Sequence, residues 1–380
     1  MDIDKDKPSA EWIASLHDRF PCEREIRRVR DCKLERRAEP PFQAPGLEAL
    51  CAGLERLLTD RLDTSFAIRA PRWLTGGASK VQMAFDLEWQ PQGGERTTQP
   101  MVLRMEPAAS IAETSRLREF ELLRTMQGVV PVPEVFWVDN EAEHLPCPGL
   151  VCGFVEGVTR PSDSPGGISG LGTNYGPGLR EVLGAQFVEH LAKIHLHDWP
   201  DGALDSFHLP FTDTQSVILE IRHWQRVWAE DSGEDVPLLH VAANWLLANA
   251  PSIDQLSIVH GDYRVGNFLF DEDSQQITAW LDWELGHLGD RHDDLAFATS
   301  RVLGHLHEDG ETFLACGLLP VEQLIADYER ASGLTVDPEK LAYYRVLNLY
   351  KLTVICVATA PRVMRGGKSH QDITLAWPVS

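Results

Sequence analysis

Apolar and polar residues follow two different periods along this chain, one in its first half and another in its second. From 81 to 89 every second residue is a large apolar one, which is the pattern of an antiparallel strand with one buried face. β-rich runs at 101–105, 135–138 and 150–155 predict further strands, and a helix is predicted at about 110–127. The first half therefore predicts an antiparallel sheet accompanied by one helix.

Helical periodicity dominates the second half, where apolar residues recur three and four positions apart. Helices are predicted there at 179–199, 214–230, 238–250, 290–303, 321–331 and 338–358. Three more are predicted near the N-terminus, at 10–20, 22–37 and 46–62. A sheet followed by helices predicts an α+β fold with two lobes. We divide the chain into an N-terminal helical extension (1–62), an N-lobe containing the sheet (63–157) and a helical C-lobe (158–380). The extension is charged and mixed in sign up to about residue 45, which indicates a peripheral or partner-contacting arm.

The segment 258–284, between the two halves, carries the candidate chemistry. Its pattern predicts a short buried strand, a polar loop and a β-hairpin. The loop and the hairpin bring Asp262, Asn267 and Asp282 close together. Catalytic residues are commonly found on loops that rigid elements of this kind hold in place.

These residue types suit phosphoryl transfer, which depends on positioning and charge neutralisation more than on covalent chemistry. Asp262 would accept the proton of an attacking hydroxyl, and Arg264 would present a positive charge to the transferred group. Asn267 and Asp282 offer the hard oxygen ligands that Mg²⁺ prefers. His260, Asp262 and Asn267 have the H-x-D-x-x-x-x-N spacing of the protein-kinase catalytic loop, and Asp282 takes the place of the aspartate of D-F-G. We assign His260 a structural role, in which it fixes the backbone of the loop.

In this segment the chain resembles the aminoglycoside phosphotransferase and choline kinase-like superfamily of small-molecule kinases. That superfamily carries H-G-D-x-x-x-x-N, I-D-[WF]-E and G-D-x-x-x-D-L-A, and the matching residues are His260-Gly261-Asp262 with Asn267, Leu281-Asp282-Trp283-Glu284, Gly289-Asp290 and Asp294-Leu295-Ala296. The resemblance implies a bilobal protein-kinase-like fold from about residue 71 onward. It also implies that Asp290 and Asp294 tie their helix to the catalytic loop. The D-W-E run and the L-R at Arg104 look most like the branch that contains 4-hydroxyacyl-CoA kinase domains.

Several N-lobe residues are candidates for nucleotide binding. A glycine-rich turn lets the backbone N–H groups of Gly76 and Gly77 approach phosphates, and Ser79 can donate a further hydrogen bond. A plain hairpin turn is the alternative, and Lys80 departs from the family pattern G-G-x-S-N. Glu156 falls at the hinge between the lobes, where backbone groups would meet the adenine edge.

Arg104 stands where kinases have the strand lysine that holds the α- and β-phosphates. Arginine makes bidentate phosphate contacts, so this residue is compatible with an active site. On the next helix, Glu119 matches the family glutamate that pairs with the strand cation better than Glu121 does. The alternative for Glu119 is a surface ion pair along the helix. The loop at 160–178 reads equally as a lid or as a passive linker.

The composition narrows the class of protein. A formal charge of −22 over 380 residues argues against a nucleic-acid partner. Seven cysteines without a C-x-x-C pair indicate reduced thiols. The chain shows no signal-peptide pattern and no apolar run of membrane-spanning length, so we expect a cytoplasmic protein without a membrane segment. Two histidine pairs two positions apart, His195/His197 and His305/His307, are not expected to bind metal, because such pairs diverge on a helix.

Together these features predict a Mg²⁺-dependent kinase that transfers the γ-phosphate of ATP or GTP to the hydroxyl of a small molecule. The resemblance favours a hydroxyacyl-CoA or another catabolic alcohol as the acceptor. An aminoglycoside or macrolide antibiotic is the alternative acceptor. A non-catalytic nucleotide-binding pseudokinase is the alternative from a different class, and arginine at position 104 is its support. The choice between ATP and GTP and the oligomeric state stay open.

Overall fold

The structure, a computed structural model, describes residues 4–38, 45–74, 81–91, 93–106, 110, 112–163 and 172–365. The described residues form a sheet-containing N-lobe and a mainly helical C-lobe, which confirms the predicted α+β bilobal fold. The helices are α1 Ala10–Arg19, α2 Arg24–Arg36, α3 Leu47–Arg61, α4 Arg116–Met126, α5 Gly176–Leu196, α6 Gln215–Asp231, α7 Pro237–Ala248, α8 His292–Ala298, α9 Val321–Ser332, α10 Pro338–Val354 and α11 Ala360–Arg365. The strands are β1 Ala67–Trp73, β2 Val81–Trp89, β3 Thr97–Met105, β4 Val135–Asp139, β5 Gly149–Gly153, β6 Ser257–Val259, β7 Phe268–Asp271, β8 Gln276–Trp280, β9 His287–Gly289, β10 His305–Leu306, β11 Phe313–Ala315 and β12 Leu319–Pro320.

The N-lobe sheet has five antiparallel strands in the order β1-β2-β3-β5-β4. Successive side chains of a strand point to opposite faces, so the central strand β3 has side chains packed on both faces of the sheet. Its Met101, Leu103 and Met105 pack in one cluster with the leucines of α3. Its Val102 packs on the other face with Phe120 of α4. The sheet is therefore covered by a helix on each face, and even-numbered β3 residues face α4.

The candidate catalytic segment, 258–284, is held in the core of the C-lobe. Strand β6 pairs with β9, and β7 pairs with β8 in the predicted hairpin. Between β6 and β7, Tyr263 is fully buried and stacks on Trp280 with ring centroids 4.0 Å apart. Its hydroxyl donates to the carbonyl of Phe187 in α5 at 2.6 Å. Aromatic packing thus fixes the loop from beneath and leaves its polar residues on the outer side.

Two helices predicted from sequence are wrong in extent, and one small sheet was missed. The helix expected from 110 begins only at Arg116, where Ser115 accepts a hydrogen bond from the Arg118 N–H as the N-cap. The helix expected over 290–303 ends at Ala298, and Ser300 caps a separate 3₁₀ turn. The small sheet β10-β11-β12 was not predicted, because its strands have only two or three residues and show no alternation.

The three N-terminal helices pack in two different places. The leucines of α3 belong to the N-lobe core beneath the sheet. In contrast, α1 and α2 contact the C-terminal end of α6, where Arg30 of α2 pairs with Glu230. The segment 1–62 is thus divided between a sheet helix and a helical pair that lies on the C-lobe.

One helical stretch contradicts the expectation that no apolar run is long enough to span a membrane. Among the described residues, Pro338–Val363 is long and apolar enough to cross a membrane, with a mean hydropathy of 1.3 in its most apolar window. Its Tyr344, Leu347 and Val354 are buried in the main C-lobe core. Lys351 on the same helix pairs with Asp293 of α8 at 2.8 Å. These are the contacts of a core helix.

Candidate active site

Asp262 lies at the centre of the catalytic loop with both carboxylate oxygens engaged. Its Oδ1 accepts from Arg264 Nε at 2.9 Å, and its Oδ2 accepts from Asn267 Nδ2 at 2.5 Å. The amide of Asn267 also donates to the backbone carbonyl of Asp262 at 2.9 Å. About a fifth of the Asp262 side chain stays exposed (22%). The structure therefore brings these three predicted residues together and leaves the carboxylate open to a ligand.

The loop takes this shape because of a glycine and a buried carboxylate. Gly261 has φ +81°, and a Cβ there would lie 2.5 Å from the carbonyl oxygen of Leu285, so only glycine fits without strain. Asp294 of α8 is fully buried and accepts from the N–H groups of His260 at 2.7 Å and Gly261 at 2.9 Å. His195 Nε2 contacts the same carboxylate at 3.2 Å. Asp294 therefore ties α8 to the catalytic loop, in the way that the family resemblance implied.

His260 fixes the loop from the inside. It is fully buried, and its Nε2 lies 2.9 Å from the carbonyl oxygen of Leu281. Its Nδ1 accepts from the backbone N–H of Asp262 at 3.3 Å. Since a carbonyl can only accept, Nε2 donates the bond to Leu281. These bonds link the loop to the end of β8 and give His260 the structural role predicted for it.

Asp282 follows β8 in a left-handed conformation, with φ 57° and ψ 47°. A non-glycine residue in this region stores about 1 kcal/mol or more of strain, which is common at functional sites. Its Oδ1 accepts from Arg104 Nη2 at 2.9 Å, while 43% of the side chain is exposed. Although desolvation opposes ionisation, the charges of Arg104 and Arg264 hold the pKa of Asp282 below its ordinary value. Asp282 is therefore an anion facing the cleft.

Arg104 joins the two lobes through its guanidinium group. Because it is an even-numbered residue of β3, it faces α4, and its Nη2 lies 3.3 Å from Glu119 Oε1 and 2.9 Å from Asp282 Oδ1. Burial opposes its charge, but these two carboxylates raise the pKa of Arg104. Glu121 points elsewhere and accepts from the Ser206 hydroxyl at 2.5 Å. Of the two candidate glutamates, the structure pairs Glu119 with the strand cation.

Arg116 is part of this site and was not predicted. It is fully buried, and it contacts Glu119 as well as Glu106 at 3.2 Å and Glu284 at 3.4 Å. Glu284 is the last residue of the D-W-E run, so Arg116 connects α4 to the segment that carries Asp282. The three-residue spacing between Arg116 and Glu119 in a helix was the sequence signal that could have found the first of these contacts.

The structure describes only some of the remaining residues predicted for the nucleotide site. Glu156 is exposed, and its backbone carbonyl accepts from Thr278 Oγ1 at 2.9 Å. The next residue but one, Val158, pairs with Phe270 of the hairpin. The hinge is therefore attached to the catalytic hairpin. The glycine-rich turn with Gly76, Gly77 and Ser79 lies outside the described residues.

The predicted metal ligands are adjacent in the structure. The Leu281 N–H donates to the carbonyl of Asn267 at 2.8 Å, which places Asp282 beside Asn267. The described residues contain no group of three or more His, Cys, Asp or Glu arranged to hold a metal. One carboxylate and one amide oxygen nevertheless suit Mg²⁺, which usually binds one or two protein oxygens and fills its octahedron with waters and phosphates. The donor set therefore fits a magnesium ion that arrives with a nucleotide.

Comparison with known proteins gives a consistent result. The model of the phosphotransferase enzyme family matches residues 90–344, which is more than half of the chain. Among curated proteins, acyl-CoA dehydrogenase family member 11 of Rattus norvegicus is 25% identical over 287 residues, which cover 73% of this chain and 36% of that protein. The chain thus spans about a third of the length of the curated relatives it matches.

Among solved structures, the fold is similar to a putative aminoglycoside phosphotransferase from Ralstonia eutropha JMP134. The TM-score is 0.61 at 21% identity, covering 85% of this chain and 92% of that one. It is also similar to an ethanolamine kinase of Plasmodium vivax, with a TM-score of 0.55 at 10% identity, covering 94% of this chain and 95% of that one. At these identities the likeness shows the fold.

Proposed function

The chain belongs to the phosphotransferase enzyme family, whose members transfer phosphate to alcohol groups, and we propose that it moves the γ-phosphate of Mg²⁺-bound ATP or GTP to a small-molecule hydroxyl. The observation that carries the proposal is the position of Arg104. Its guanidinium contacts Glu119 of the N-lobe and Asp282 of the C-lobe at the same time, beside the loop that presents Asp262. This arrangement would bring nucleotide phosphates, metal ligands and base into one cleft.

Asp262 is proposed as the base. Its two oxygens are held by Arg264 and Asn267, so the carboxylate has one orientation when the acceptor hydroxyl arrives. It would take the hydroxyl proton as the bond from the acceptor oxygen to the γ-phosphorus forms and the bond from that phosphorus to the bridging oxygen breaks, which releases the nucleoside diphosphate. Arg264 would then share its charge between Asp262 and the equatorial oxygens of the transferred phosphoryl group.

The other side of the cleft would hold the nucleotide. Asn267 and Asp282 would bind Mg²⁺, which when present neutralises charge on the nucleotide phosphates. Arg104 would contact the α- and β-phosphates, with Glu119 fixing its orientation. Gly76, Gly77 and Ser79 would cover the phosphates, and the backbone at Glu156 would meet the adenine edge.

We propose an acyl-CoA that carries a hydroxyl as the acceptor. We also propose that the reaction takes place in the cytoplasm. One support is that the relatives are named acyl-CoA dehydrogenases. Another is that the L-R at Arg104 and the D-W-E run look most like the branch that contains 4-hydroxyacyl-CoA kinase domains. The ion pairs of the site limit where the phosphates of an acyl-CoA could bind. Arg104, Arg264 and Arg180 are each paired with a carboxylate, so a CoA phosphate would have to compete for them or use other cations. The proposal of a kinase does not depend on this choice of acceptor.

The pseudokinase alternative has less support. It rests on arginine in place of lysine at 104, yet Arg104 forms the ion pair with Glu119 that a strand cation needs in an active kinase. Asp262 and Asn267 are also present and engaged in one hydrogen-bond network.

The proposal is tested by phosphate transfer. The protein is incubated with Mg²⁺ and γ-labelled ATP or GTP, against separate pools of hydroxyacyl-CoAs, other metabolic alcohols, and aminoglycoside and macrolide antibiotics. Asp262→Asn is the blank, because it keeps the shape of the side chain and removes the base. We expect label in a single pool with the wild type, at a rate at least 100 times that of the variant. Equal rates in the two proteins would remove Asp262 from the mechanism. The absence both of transfer and of Mg²⁺-dependent nucleotide binding would contradict the proposed function.

A further inference from the structure

Helix α2 connects the two lobes. It has 13 residues, which corresponds to about 20 Å of helix. Carboxylates near its N-terminus contact α4 of the N-lobe, and cations nearer its C-terminus contact α6 of the C-lobe.

At its N-terminal end, α2 is bonded to the first turn of α4. Glu25 is buried, and its Oε1 accepts from the hydroxyl of Ser115 at 2.5 Å. Ser115 is the N-cap of α4 and itself accepts from the N–H of Arg118 at 3.3 Å. Glu23, the residue before α2, pairs with Arg118 and also accepts from the N–H of His208 at 2.9 Å. Two carboxylates of the extension therefore bind the start of α4.

At its C-terminal end, α2 is anchored on the last residues of α6. Glu230 and Asp231 are fully buried there. Arg30 pairs with Glu230. Lys33 and Arg37 both pair with Asp231, and Lys33 Nζ lies 3.0 Å from Asp231 Oδ2. Buried ion pairs add little net stability, but breaking one leaves an uncompensated buried charge, which is strongly unfavourable. These pairs therefore fix where α2 lies on the C-lobe.

The helix that α2 holds is the one that carries Glu119. Glu119 lies one turn after Ser115 and contacts Arg104 at 3.3 Å. A movement of the start of α4 away from β3 would separate Glu119 from Arg104. The same movement would pull Arg116 away from Glu284. The position of α4 therefore determines whether the ion pair between Arg104 and Glu119, which we propose to lie at the nucleotide phosphates, is formed.

We infer that α2 positions the nucleotide site, and that Glu23 and Glu25 are positioning residues that hold α4 in its binding-competent place. This rests on the proposed function and extends it to a segment that sequence alone left as a peripheral or partner-contacting arm. Neither residue contacts Arg104 or Asp282, so each acts through α4. Releasing α4 lowers the competent fraction, and the apparent dissociation constant rises in inverse proportion to that fraction.

The test compares three variants with the wild type, using Mg·ATP and Mg·GTP as the probes. Glu25→Ala and Glu23→Ala each remove one bond to α4. Glu35→Ala is the matched control, because Glu35 is an exposed residue of the same helix. Calorimetry gives the dissociation constants, hydrogen exchange reports the opening of α4, and thermal unfolding identifies any variant that fails to fold. We expect the first two variants to bind at least fivefold more weakly, with faster exchange over 116–126, and the control to bind as the wild type does.

A rescue variant separates positioning from loss of stability. Glu25→Gln keeps an oxygen that accepts from the Ser115 hydroxyl, so it should recover most of the affinity. If the wild type binds a nucleotide and both alanine variants bind it equally tightly, the inference is overturned and the proposed function stands. If the variants differ only in melting temperature, the inference is overturned in the same way. If the wild type binds neither nucleotide, the proposed function fails and the inference fails with it.

Discussion

Replacement of Asp294 by asparagine tests how the catalytic loop is held. The carboxylate is fully buried and receives two backbone N–H groups, from His260 at 2.7 Å and Gly261 at 2.9 Å, and one ring nitrogen of His195 at 3.2 Å. Asparagine has nearly the same volume but no charge. One of its two polar atoms is an NH₂ group, which cannot accept from a backbone N–H.

The cost follows from these contacts. A hydrogen bond to a charged group contributes about 1.5–3 kcal/mol, and the variant loses one of the two backbone bonds outright. A buried N–H left opposite an NH₂ group costs a further 1–3 kcal/mol or so. We therefore expect Asp294→Asn to lower the free energy of unfolding by about 3–5 kcal/mol. That is a large part of the 5–15 kcal/mol or so that is typical of a folded domain.

The assay is urea unfolding at pH 7, followed by tryptophan fluorescence, since Trp280 and Trp283 lie beside the loop. The control is Asp273→Asn, the same change at an exposed residue of the hairpin turn. We expect a lower midpoint at an unchanged slope for Asp294→Asn and no shift for the control. A loss below 1 kcal/mol would show that Asp294 does not hold the loop, and the account of the loop given above would be wrong.

Three further changes have definite expected results. His190 accepts a hydrogen bond from the Trp280 indole, and its burial lowers its pKa to about 4. Between pH 6.5 and pH 4 the unfolded chain therefore binds a proton that the folded protein does not, so the free energy of unfolding should fall by about 2 kcal/mol between pH 7.5 and pH 5. His190→Gln should lose this part of the pH dependence in urea unfolding. Gly261→Ala should destabilise by about 2–3 kcal/mol, because of its positive φ and the 2.5 Å approach to the Leu285 carbonyl. Asp282→Ala should abolish Mg²⁺-dependent binding of ATP in calorimetry.

Each of these expectations has a result that contradicts it. An unchanged pH profile in His190→Gln would mean that the imidazole titrates normally in the folded protein. A fully stable Gly261→Ala would require the loop to move away from Leu285. Nucleotide binding by Asp282→Ala that still depends on Mg²⁺ would place the metal on other ligands.

The sequence predicted the fold of segment 258–284 well because its information is local. Asp262, Asn267 and Asp282 lie within 21 positions, and the strand periods on either side set the hairpin that brings them together. Arg104 and Glu119 could be paired because one lies on a strand and the other on the next helix. The choice of Glu119 over Glu121 came from family resemblance, and its physical reason is that Glu121 faces Ser206.

Contacts between distant segments could not be predicted in the same way. Arg116 and Glu284 are 168 positions apart, and nothing in either local pattern specifies the other. The docking of α2 on α6 depends on single buried ion pairs, which a pattern of mixed charges does not distinguish from a solvated surface. The small sheet β10-β11-β12 was missed because its short strands are defined by their partners.

The attachment of α2 to α6 also governs the order in which the protein can fold. Arg30 and Glu230 are separated by 200 residues, so the anchor cannot form until more than half of the chain has been synthesised. At about 5–20 residues per second, α2 waits roughly 10–40 s on the ribosome before its partner emerges. Closing so long a loop is slow compared with helix formation. We therefore expect the N-lobe sheet to fold first, with α1 and α2 docking only after α6 has emerged.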